Sequence, residues 1–317
     1  MKTTISEQRI DLVIDSKESA AEGVAVLTLR RPNGALLPAW SAGAHIDVNL
    51  PNSQTRQYSL CSDLNDLKSY RIAVLREPES RGGSEFVHQS LRIGQTIEIN
   101  EPRNNFPLLP SSNYLFIAGG IGITPILPML SAAQAHANWT LLYGGRRRAS
   151  MAFLDELLPF GDRVTIAPQD ESGLLNIADL LRAPLPDTLV YCCGPENLLS
   201  AVEKLCATWP TGSLNVERFK AADLGPQADE PFDVELRRTG TRLTVPRGKT
   251  ILETIEETGA IVIYSCREGV CGTCEIPVLE GIPDHRDGVL SPSVKESNKA
   301  IMICVSRSKS KLLVLDL

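Results

Sequence analysis

The stretch that decides the fold of this chain runs from Cys266 to Cys274 and reads CREGVCGTC, and a fourth cysteine follows near the C-terminus. Three cysteines at the spacing C-x4-C-x2-C, with a distant fourth, match the plant-type [2Fe–2S] ligand pattern. Gly269 and Gly272 suit a loop that curls around a cluster, because residues without a Cβ let backbone N–H groups point at sulfur. A zinc site or a disulfide pair is the alternative, but structural zinc sites usually carry two C-x2-C pairs and this stretch has one. The predicted cluster ligands are Cys266, Cys271, Cys274 and Cys304.

The bulk composition is that of an ordinary globular protein. The 317 residues are 43% hydrophobic and 22% charged, which allows two or three domains. The N-terminal segment MKTTISEQRI does not resemble a signal peptide and no apolar run is long enough to span a bilayer, so we expect a cytoplasmic protein. A net charge of −6 gives no support to nucleic-acid binding. The remaining cysteines are expected to be free thiols: Cys61, Cys192, Cys193 and Cys206.

The first third of the chain has the pattern of a small antiparallel barrel. Short runs rich in Val, Ile and Leu are separated by clusters of Gly, Pro and Asn. Within this region the segment RQYSLCS alternates so that Arg56, Tyr58 and Leu60 share one face of an extended strand. An ordinary edge strand is the alternative interpretation.

A second motif of this region is Arg81-Gly82-Gly83-Ser84, which precedes the helix-like stretch SEFVHQSL. Glycines and a serine at a helix start expose backbone N–H groups, and the helix dipole adds positive potential, so the motif can cradle a phosphate. A turn with a serine cap is the alternative. Together with the RQYSL strand, the motif suits a flavin mononucleotide.

The middle third alternates apolar strands with helical segments, which predicts a parallel sheet covered on both faces. Ligands of such sheets bind outside the carboxyl ends of the strands. The loop GGIGITP, from Gly119 to Pro125, follows one strand, and Cys193-Gly194-Pro195 follows another. The first loop is not the G-x-G-x-x-G fingerprint, so a tight strand-to-helix turn is the alternative.

The nucleotide preference is predicted from the end of the third strand of this sheet, where Gln169, Asp170 and Glu171 lie. Carboxylates there can accept hydrogen bonds from ribose hydroxyls and would repel a 2′-phosphate. This favours NADH over NADPH.

The last third has the element order of a β-grasp ferredoxin. A hairpin signal surrounds Thr239-Gly240, and Thr250 with Glu253 forms a capping box at the start of a helix that precedes the cysteine loop. The segment MICVSR is expected to place Cys304 on a strand. Asp284-His285-Arg286-Asp287 is expected to be a solvated, charged turn.

The motifs RQYSL, RGGS, GGIGITP, CGP, ERF and CREGVCGTC occur in this order along nearly the whole chain. They resemble the ferredoxin-NADP reductase superfamily, and in particular its phthalate dioxygenase reductase branch, to which vanillate demethylase and carnitine monooxygenase reductases are similar. The resemblance implies a multidomain chain with an FMN-binding antiparallel β-barrel (1–107), an NADH-binding α/β domain with a parallel sheet (108–222), a linker (223–231) and a β-grasp [2Fe–2S] ferredoxin (232–317).

The function that the resemblance implies is a reductase that takes a hydride from NADH onto FMN. Single electrons then pass through the [2Fe–2S] cluster to a separate Rieske-type oxygenase. The sequence itself gives no sign of the oligomeric state, and a monomer is the default expectation. Two alternatives stay open: a redox sensor that uses flavin and cluster without turnover, and the same relay with FAD or NADPH.

The resemblance also assigns roles to residues. The flavin ring and ribityl chain are held by Arg56, Tyr58 and Ser59. The ring is lined by the backbone of Ala73, Val74 and Leu75. The phosphate is bound by Gly82, Gly83 and Ser84. The hydride-transfer site contains Thr124, Cys193 and Phe219. The nucleotide loops contribute Gly120, Gly122, Gly194 and Pro195.

Overall fold

The computed structural model describes residues 9–220 and 229–317. The chain divides into two compact units, Met1–Glu217 and Arg218–Leu317. Among the described residues, no helix combines the length and the apolar character that a bilayer crossing requires.

The first unit begins with a six-stranded antiparallel sheet in the order β4-β3-β6-β1-β2-β5. Its elements are β1 (Arg9–Ala21), β2 (Val24–Arg30), β3 (His45–Leu50), β4 (Gln54–Ser59), β5 (Ser69–Leu75), α1 (Gly83–Gln89) and β6 (Thr96–Asn100). A bridge between Leu60 and Ile72 joins the end of β4 to β5, the two edge strands, and so closes the sheet into a barrel. Alternate residues such as Leu12 and Ile14 are fully buried inside it. The predicted antiparallel barrel is confirmed.

A buried ion pair crosses one side of this barrel. The Asp47 side chain is completely buried, and its Oδ2 lies 2.6 Å from Arg103 Nη2. Gln57 Nε2 donates to Asp47 Oδ1 at 2.8 Å. Because Gln57 stands between Arg56 and Tyr58 on β4, the buried carboxylate helps to fix the strand that carries the predicted flavin residues.

The second part of the first unit is a five-stranded parallel sheet in the order β11-β10-β7-β8-β9. Its elements are β7 (Asn113–Gly119), α2 (Ile123–Gln134), β8 (Asn138–Gly145), α3 (Leu154–Leu157), β9 (Val164–Pro168), α4 (Gln169–Ser172), α5 (Ile177–Leu180), β10 (Thr188–Cys193), α6 (Glu196–Leu205) and β11 (Leu214–Glu217). The predicted parallel sheet is confirmed. The acidic segment after β9, the third strand of this sheet in chain order, forms the short helix α4.

Barrel and parallel sheet share an apolar core, in which Val26 and Ala73 of the barrel cluster with Phe116 and Met129. Arg71 of β5 adds a polar connection, since its guanidinium pairs with both carboxylate oxygens of Glu156 at 2.8 Å. The predicted domain boundary at 107/108 lies inside this unit and stays a prediction.

The second unit is a mixed sheet in the order β13-β12-β18-β14-β16, with a separate two-stranded sheet of β15 and β17. Its elements are β12 (Phe232–Leu236), β13 (Thr241–Val245), α7 (Ile251–Glu256), β14 (Glu275–Glu280), β15 (Pro283–Asp284), α8 (Pro292–Ser297), β16 (Ala300–Met302), β17 (Arg307–Ser308) and β18 (Leu312–Leu315). Strands β12 and β18 are parallel at the centre of the sheet.

Helix α7 packs on this mixed sheet, as a β-grasp ferredoxin requires. Ile251 and Ile255 are buried in the same core as Val234 and Leu313. The predicted capping box is present: Glu253 N donates to Thr250 Oγ1 at 3.1 Å, and Thr250 N donates to Glu253 Oε2 at 2.8 Å. The predicted β-grasp fold is confirmed.

The prediction of a solvated turn at residues 284–287 is wrong. The Asp287 side chain is fully buried, and the His285 side chain is only 10% exposed. The turn is drawn inward because Gly288 N donates to Gly269 O of the cysteine loop at 2.9 Å.

The end of the predicted linker packs on the second unit. Asp229 Oδ1 accepts a hydrogen bond from Arg286 Nη1 at 2.8 Å, and Glu230 O accepts one from Arg307 Nη2 at 3.1 Å. The earlier part of the linker, 223–228, lies outside the described residues.

We expect Arg103→Met to lower the free energy of unfolding by about 3 kcal/mol, because it leaves the buried Asp47 carboxylate without its cation. Urea unfolding measures this loss. The matched control is Arg9→Met, whose exposed pair with Glu98 should contribute less than about 1 kcal/mol. Equal losses in the two variants would contradict the prediction.

Candidate functional site

Arg56 of β4 lies beside the start of α1. Its Nη1 donates to Thr55 O at 2.9 Å and its Nη2 donates to Gln54 Oε1 at 2.7 Å, which fixes the guanidinium. A Cβ on Gly83 would stand 2.6 Å from Arg56 Nε, so the close approach of this cation to the helix requires glycine. The structure therefore brings the predicted strand and the predicted phosphate cradle together.

The hydrogen bonds of the cradle refine its predicted ligand set. Ser80 Oγ accepts from Gly82 N at 3.1 Å and from the Ser84 hydroxyl at 3.1 Å. Among the described residues, the N–H groups of Gly83 and Ser84 have no acceptor. A phosphate at this turn would thus meet these two N–H groups and the Arg56 guanidinium. The N–H of Gly82 already donates to Ser80 Oγ. Sequence reasoning missed Ser80, although a serine close before a helix start is a capping signal.

Strand β5 presents the three predicted ring-lining residues in different ways. The Ala73 side chain lies in the core shared with the parallel sheet, whereas the Val74 side chain points into the barrel interior. The Val74 carbonyl accepts a hydrogen bond from His88 Nε2 at 2.9 Å, which ties β5 to α1. Leu75 is half-buried at the end of the strand.

The other predicted flavin residues lie on β4. Tyr58 packs half-buried against the barrel core, and Ser59 is buried opposite His45 of β3.

The two nucleotide loops meet backbone to backbone at the carboxyl edge of the parallel sheet. A Cβ on Gly122 would stand 2.3 Å from Cys193 O and 2.8 Å from Gly194 N. A Cβ on Gly119 would stand 2.7 Å from Pro195 Cδ. GGIGITP and CGP thus lie together, and the contact between them requires glycine. Gly120, in the same loop, has a left-handed φ of 55°.

Thr124 is buried in the first turn of α2, and its hydroxyl donates to Ile121 O at 3.0 Å. The hydroxyl therefore stiffens the loop. Its predicted place at the flavin stays a prediction.

Cys193 and Glu217 lie side by side at the ends of β10 and β11. Burial, with a further contribution from the Glu217 carboxylate, raises the pKa of Cys193 well above its usual range, so the thiol stays protonated. Burial also raises the pKa of Glu217 to about 8. Its Oε2 is enclosed and has no hydrogen-bond partner among the described residues, although other parts of the side chain are accessible.

Asn215 Nδ2, two residues earlier on the same face of β11, is also enclosed and without a partner among the described residues. Polar atoms left unsatisfied at this edge fit a site that receives a polar ligand such as a nicotinamide. Sequence reasoning quoted Glu217 only as the first residue of the ERF motif. The alternation of β11 was the signal that could have placed it beside Cys193.

Phe219 belongs to the second unit and is 37% exposed. Its predicted place at the flavin edge stays a prediction.

Arginines face the acidic segment that follows β9. Arg148 Nε and Nη2 pair with the two carboxylate oxygens of Glu171 at 2.8 and 2.7 Å, and this ion pair lowers the pKa of Glu171. Asp170 N donates to Arg146 O at 3.2 Å. The predicted ribose-binding acid is therefore held next to a cation.

The four predicted cluster ligands are buried in two pairs. Cys266 is hydrogen-bonded to Cys271, and Cys274 is hydrogen-bonded to Cys304. The hydrogen bond from the Cys266 thiol lowers the pKa of Cys271 below its usual range. Among the described residues, no group of three or more potential ligands surrounds a single metal ion. Two thiol pairs fit a cluster of two irons, in which each iron takes two protein ligands. Cys304 lies in the turn after β16, so the expectation of a strand position is wrong by two residues.

Backbone N–H groups of the loop point at the sulfur atoms. Glu268 N donates to Cys266 Sγ at 3.3 Å, and Thr273 N donates to Cys271 Sγ at 3.4 Å. Gly269 has a φ of 70° and touches the turn at Asp287, which leaves no room for a side chain. The loop thus supplies the sulfur ligands and the N–H groups that stabilise their negative charge, which fits a [2Fe–2S] cluster.

Comparison with known protein families agrees with both halves of this geometry. Residues 116–204 match the model of an oxidoreductase NAD-binding domain, and residues 234–309 match that of a 2Fe-2S iron-sulfur cluster binding domain. The chain is thus an NADH-dependent iron–sulfur oxidoreductase.

Several relatives are similar over most of the chain. The carnitine monooxygenase reductase subunit of Escherichia coli (strain K12) is 40% identical over 98% of this chain and 99% of its own. A solved structure of phthalate dioxygenase reductase, described as modular for electron transfer from pyridine nucleotides to [2Fe–2S], is 37% identical with a TM-score of 0.72 over 98% of both chains. An intact type IV self-sufficient cytochrome P450 monooxygenase gives a TM-score of 0.90 at 40% identity over 98% of this chain. This chain spans 41% of that enzyme.

The chain belongs to the phthalate dioxygenase reductase family. The predicted family is confirmed, and with it the predicted cofactor set of FMN, a [2Fe–2S] cluster and NADH.

Glu217 makes the stability of the protein depend on pH. The folded state keeps a proton on this carboxyl up to about pH 8, whereas the unfolded chain releases it near pH 4.5. The free energy of unfolding should therefore fall as pH rises through this window. Relative to Glu217→Gln, we expect the unsubstituted protein to lose about 1–3 kcal/mol between pH 5 and 8.

Urea unfolding at a series of pH values measures this loss. The exposed Glu18→Gln serves as the control and should follow the unsubstituted protein. Parallel pH profiles for the Glu217→Gln and unsubstituted proteins would contradict the assignment.

Proposed function

We propose that this protein is the reductase component of a Rieske-type oxygenase system. It takes a hydride from NADH onto FMN and passes single electrons through its [2Fe–2S] cluster to a separate oxygenase. The observation that carries the proposal is the presence in one chain of the paired nucleotide loops and the paired cysteine thiols. A hydride brings two electrons together, and a Rieske centre accepts one, so a carrier that takes up two electrons and releases them singly must stand between them.

The bound groups supply the redox chemistry: flavin accepts the hydride and releases its electrons singly, and the cluster carries one electron at a time. The residues of the chain bind and orient these groups. In the proposed arrangement, Arg56 and the N–H groups of Gly83 and Ser84 hold the flavin phosphate. Tyr58, Ser59 and the backbone of β5 hold the ring and ribityl chain.

At the hydride-transfer end, Cys193, Thr124 and Phe219 are proposed to face the nicotinamide, with Gly120, Gly122, Gly194 and Pro195 shaping the loops that receive it. Support comes from the neutral state of Cys193 and of the neighbouring Glu217, since neither places a charge in the path of the hydride. Hydride transfer also requires no acid–base residue, and these buried groups help to exclude water.

The partner is proposed to be a separate protein because relatives such as the carnitine monooxygenase reductase are named as reductase subunits. The Rieske type follows the dioxygenase in the name of the phthalate relative. Another similar protein is a cytochrome P450 monooxygenase. The class of oxygenase is therefore tested by asking which kind of oxygenase accepts electrons from this protein.

Anaerobic addition of NADH tests the proposal. The flavin and cluster absorption of the holo-protein should bleach within seconds, and a Rieske oxygenase added afterwards should restore the oxidised spectrum. If NADH leaves the spectrum oxidised, the reductase function fails and the redox-sensor alternative gains. Reoxidation by a P450 but not by any Rieske protein would overturn the Rieske assignment alone.

Cys271→Ser tests the order of the carriers within this experiment. Removal of a cluster ligand should leave NADH-dependent bleaching of the flavin intact, while reduction of cytochrome c is lost. The control is Cys206→Ser, a buried cysteine of the nucleotide sheet, which should leave both unchanged. Unchanged cytochrome c reduction in Cys271→Ser would contradict the order.

Glu171 is expected to set the preference for NADH. Glu171→Gln removes a negative charge and frees Arg148, which can then bind a 2′-phosphate through charge-assisted hydrogen bonds. We expect the ratio of kcat/KM for NADPH to that for NADH to rise about tenfold, which is about 1.4 kcal/mol. Steady-state kinetics with both nucleotides measure the ratio. Glu203→Gln, exposed on α6, is the control, and an unchanged ratio in Glu171→Gln would oppose the assignment.

A further inference from the structure

A carboxylate lies directly behind the cysteine loop. The Asp287 side chain is fully buried, and its Cα stands 3.2 Å from the position that a Cβ on Gly269 would take. The next residue of the turn, Gly288, donates its N–H to Gly269 O at 2.9 Å. The N–H of Gly269 itself points at Cys304 Sγ. One residue of the loop, Gly269, thus lies between the turn of Asp287 and a sulfur ligand.

The orientation of this carboxylate is fixed. Leu290 N donates to Asp287 Oδ2 at 2.9 Å, and the buried Ser306 hydroxyl donates to Oδ1 at 3.5 Å. Ser306 Oγ also accepts from Arg286 N at 3.1 Å, which joins the turn to the segment that carries Cys304. The charge of Asp287 therefore cannot move away from the loop.

Lys295 supplies the opposite charge. Its Nζ donates to Asp287 O at 2.6 Å and lies 3.5 Å from Oδ2, and its side chain is 30% exposed. His285 Nδ1 lies 3.6 Å from Oδ1, but burial lowers the pKa of His285, so the ring is neutral near pH 7.

The remaining charges of the turn are matched among themselves. Arg286 pairs with Asp284 and with Asp229, each at 2.8 Å, and Arg307 Nε lies 3.4 Å from Asp229 Oδ1, so two cations face two carboxylates. Asp287 and Lys295 are thus the charges left to act on the cysteine loop from this side.

We propose that Asp287 and Lys295 set the reduction potential of the [2Fe–2S] cluster, Asp287 lowering it and Lys295 raising it. The inference rests on the proposed function, which places a cluster that accepts one electron on the four cysteines. Reduction adds one negative charge at the loop. A fixed carboxylate in the interior opposes that charge, and an ammonium group favours it, because interior charges are weakly screened. Both residues act through the loop and are positioning residues.

The test is a redox titration of the holo-protein, followed by the EPR signal of the reduced cluster. Asp287→Asn keeps the shape of the side chain and an oxygen that can accept from Leu290 N. We expect its reduced-to-oxidised ratio at a fixed potential to rise about tenfold, which for a one-electron couple is 59 mV. Lys295→Met should shift the ratio in the opposite direction. Shifts of opposite sign in the two variants would show that charge is the cause. A loosened loop would shift the ratio without regard to the sign of the charge removed.

Two exposed residues on or beside helix α8, which carries Lys295, serve as matched controls. Glu296→Gln and Lys299→Met each remove one charge in solvent and should change the ratio less than about twofold. Should Asp287→Asn fail to retain iron, the sign of the shift in Lys295→Met decides.

The inference is overturned if Asp287→Asn and Lys295→Met match the controls, or if both shift in the same direction. An unsubstituted protein without any EPR signal of a reduced cluster would instead overturn the proposed function, and the inference with it. The two failures are therefore distinguishable.

Discussion

The second unit depends on one constraint, the need to hold four thiols in two close pairs inside a protein. Three thiols come from a loop that must turn its N–H groups inward, and the fourth comes from the turn after β16. Helix α7 delivers the chain to the loop, and the turn at Asp287 supports it from behind. The sheet of this unit is thus a frame for a small region whose geometry tolerates little variation.

Buried carboxyl groups occur at three functional regions, and each is accommodated differently. Asp47 is paired with the guanidinium of Arg103, which stabilises the barrel around β4. Glu217 is paired with no cation among the described residues and keeps its proton, so it leaves the nucleotide edge neutral. Asp287 retains a partly exposed ammonium group, Lys295, as its partner. The same chemical group therefore fixes a strand, preserves a neutral surface, or places a charge, according to what surrounds it.

The features that were predictable from the sequence are those encoded locally. Strand alternation and the capping box of Thr250 and Glu253 each need only neighbouring residues, and the structure confirms them. The features that sequence reasoning missed depend on long-range packing. Ser80 Oγ accepts the N–H of Gly82, which sequence reasoning had left for the phosphate. The charged turn at Asp287 is buried because the adjoining Gly288 hydrogen-bonds to Gly269 of the cysteine loop. Four consecutive polar or charged residues predict a solvated turn when the segment that packs against them is not known.

The burial of all eight cysteines has a practical consequence. Four are the predicted cluster ligands, and thiols enclosed in apolar cores, such as Cys193, react poorly with alkylating reagents. A single cysteine introduced at an exposed position would therefore accept a maleimide dye selectively, without prior removal of native thiols. One dye on each compact unit would report, through energy transfer between the two dyes, whether the distance between the units changes while electrons pass through the protein.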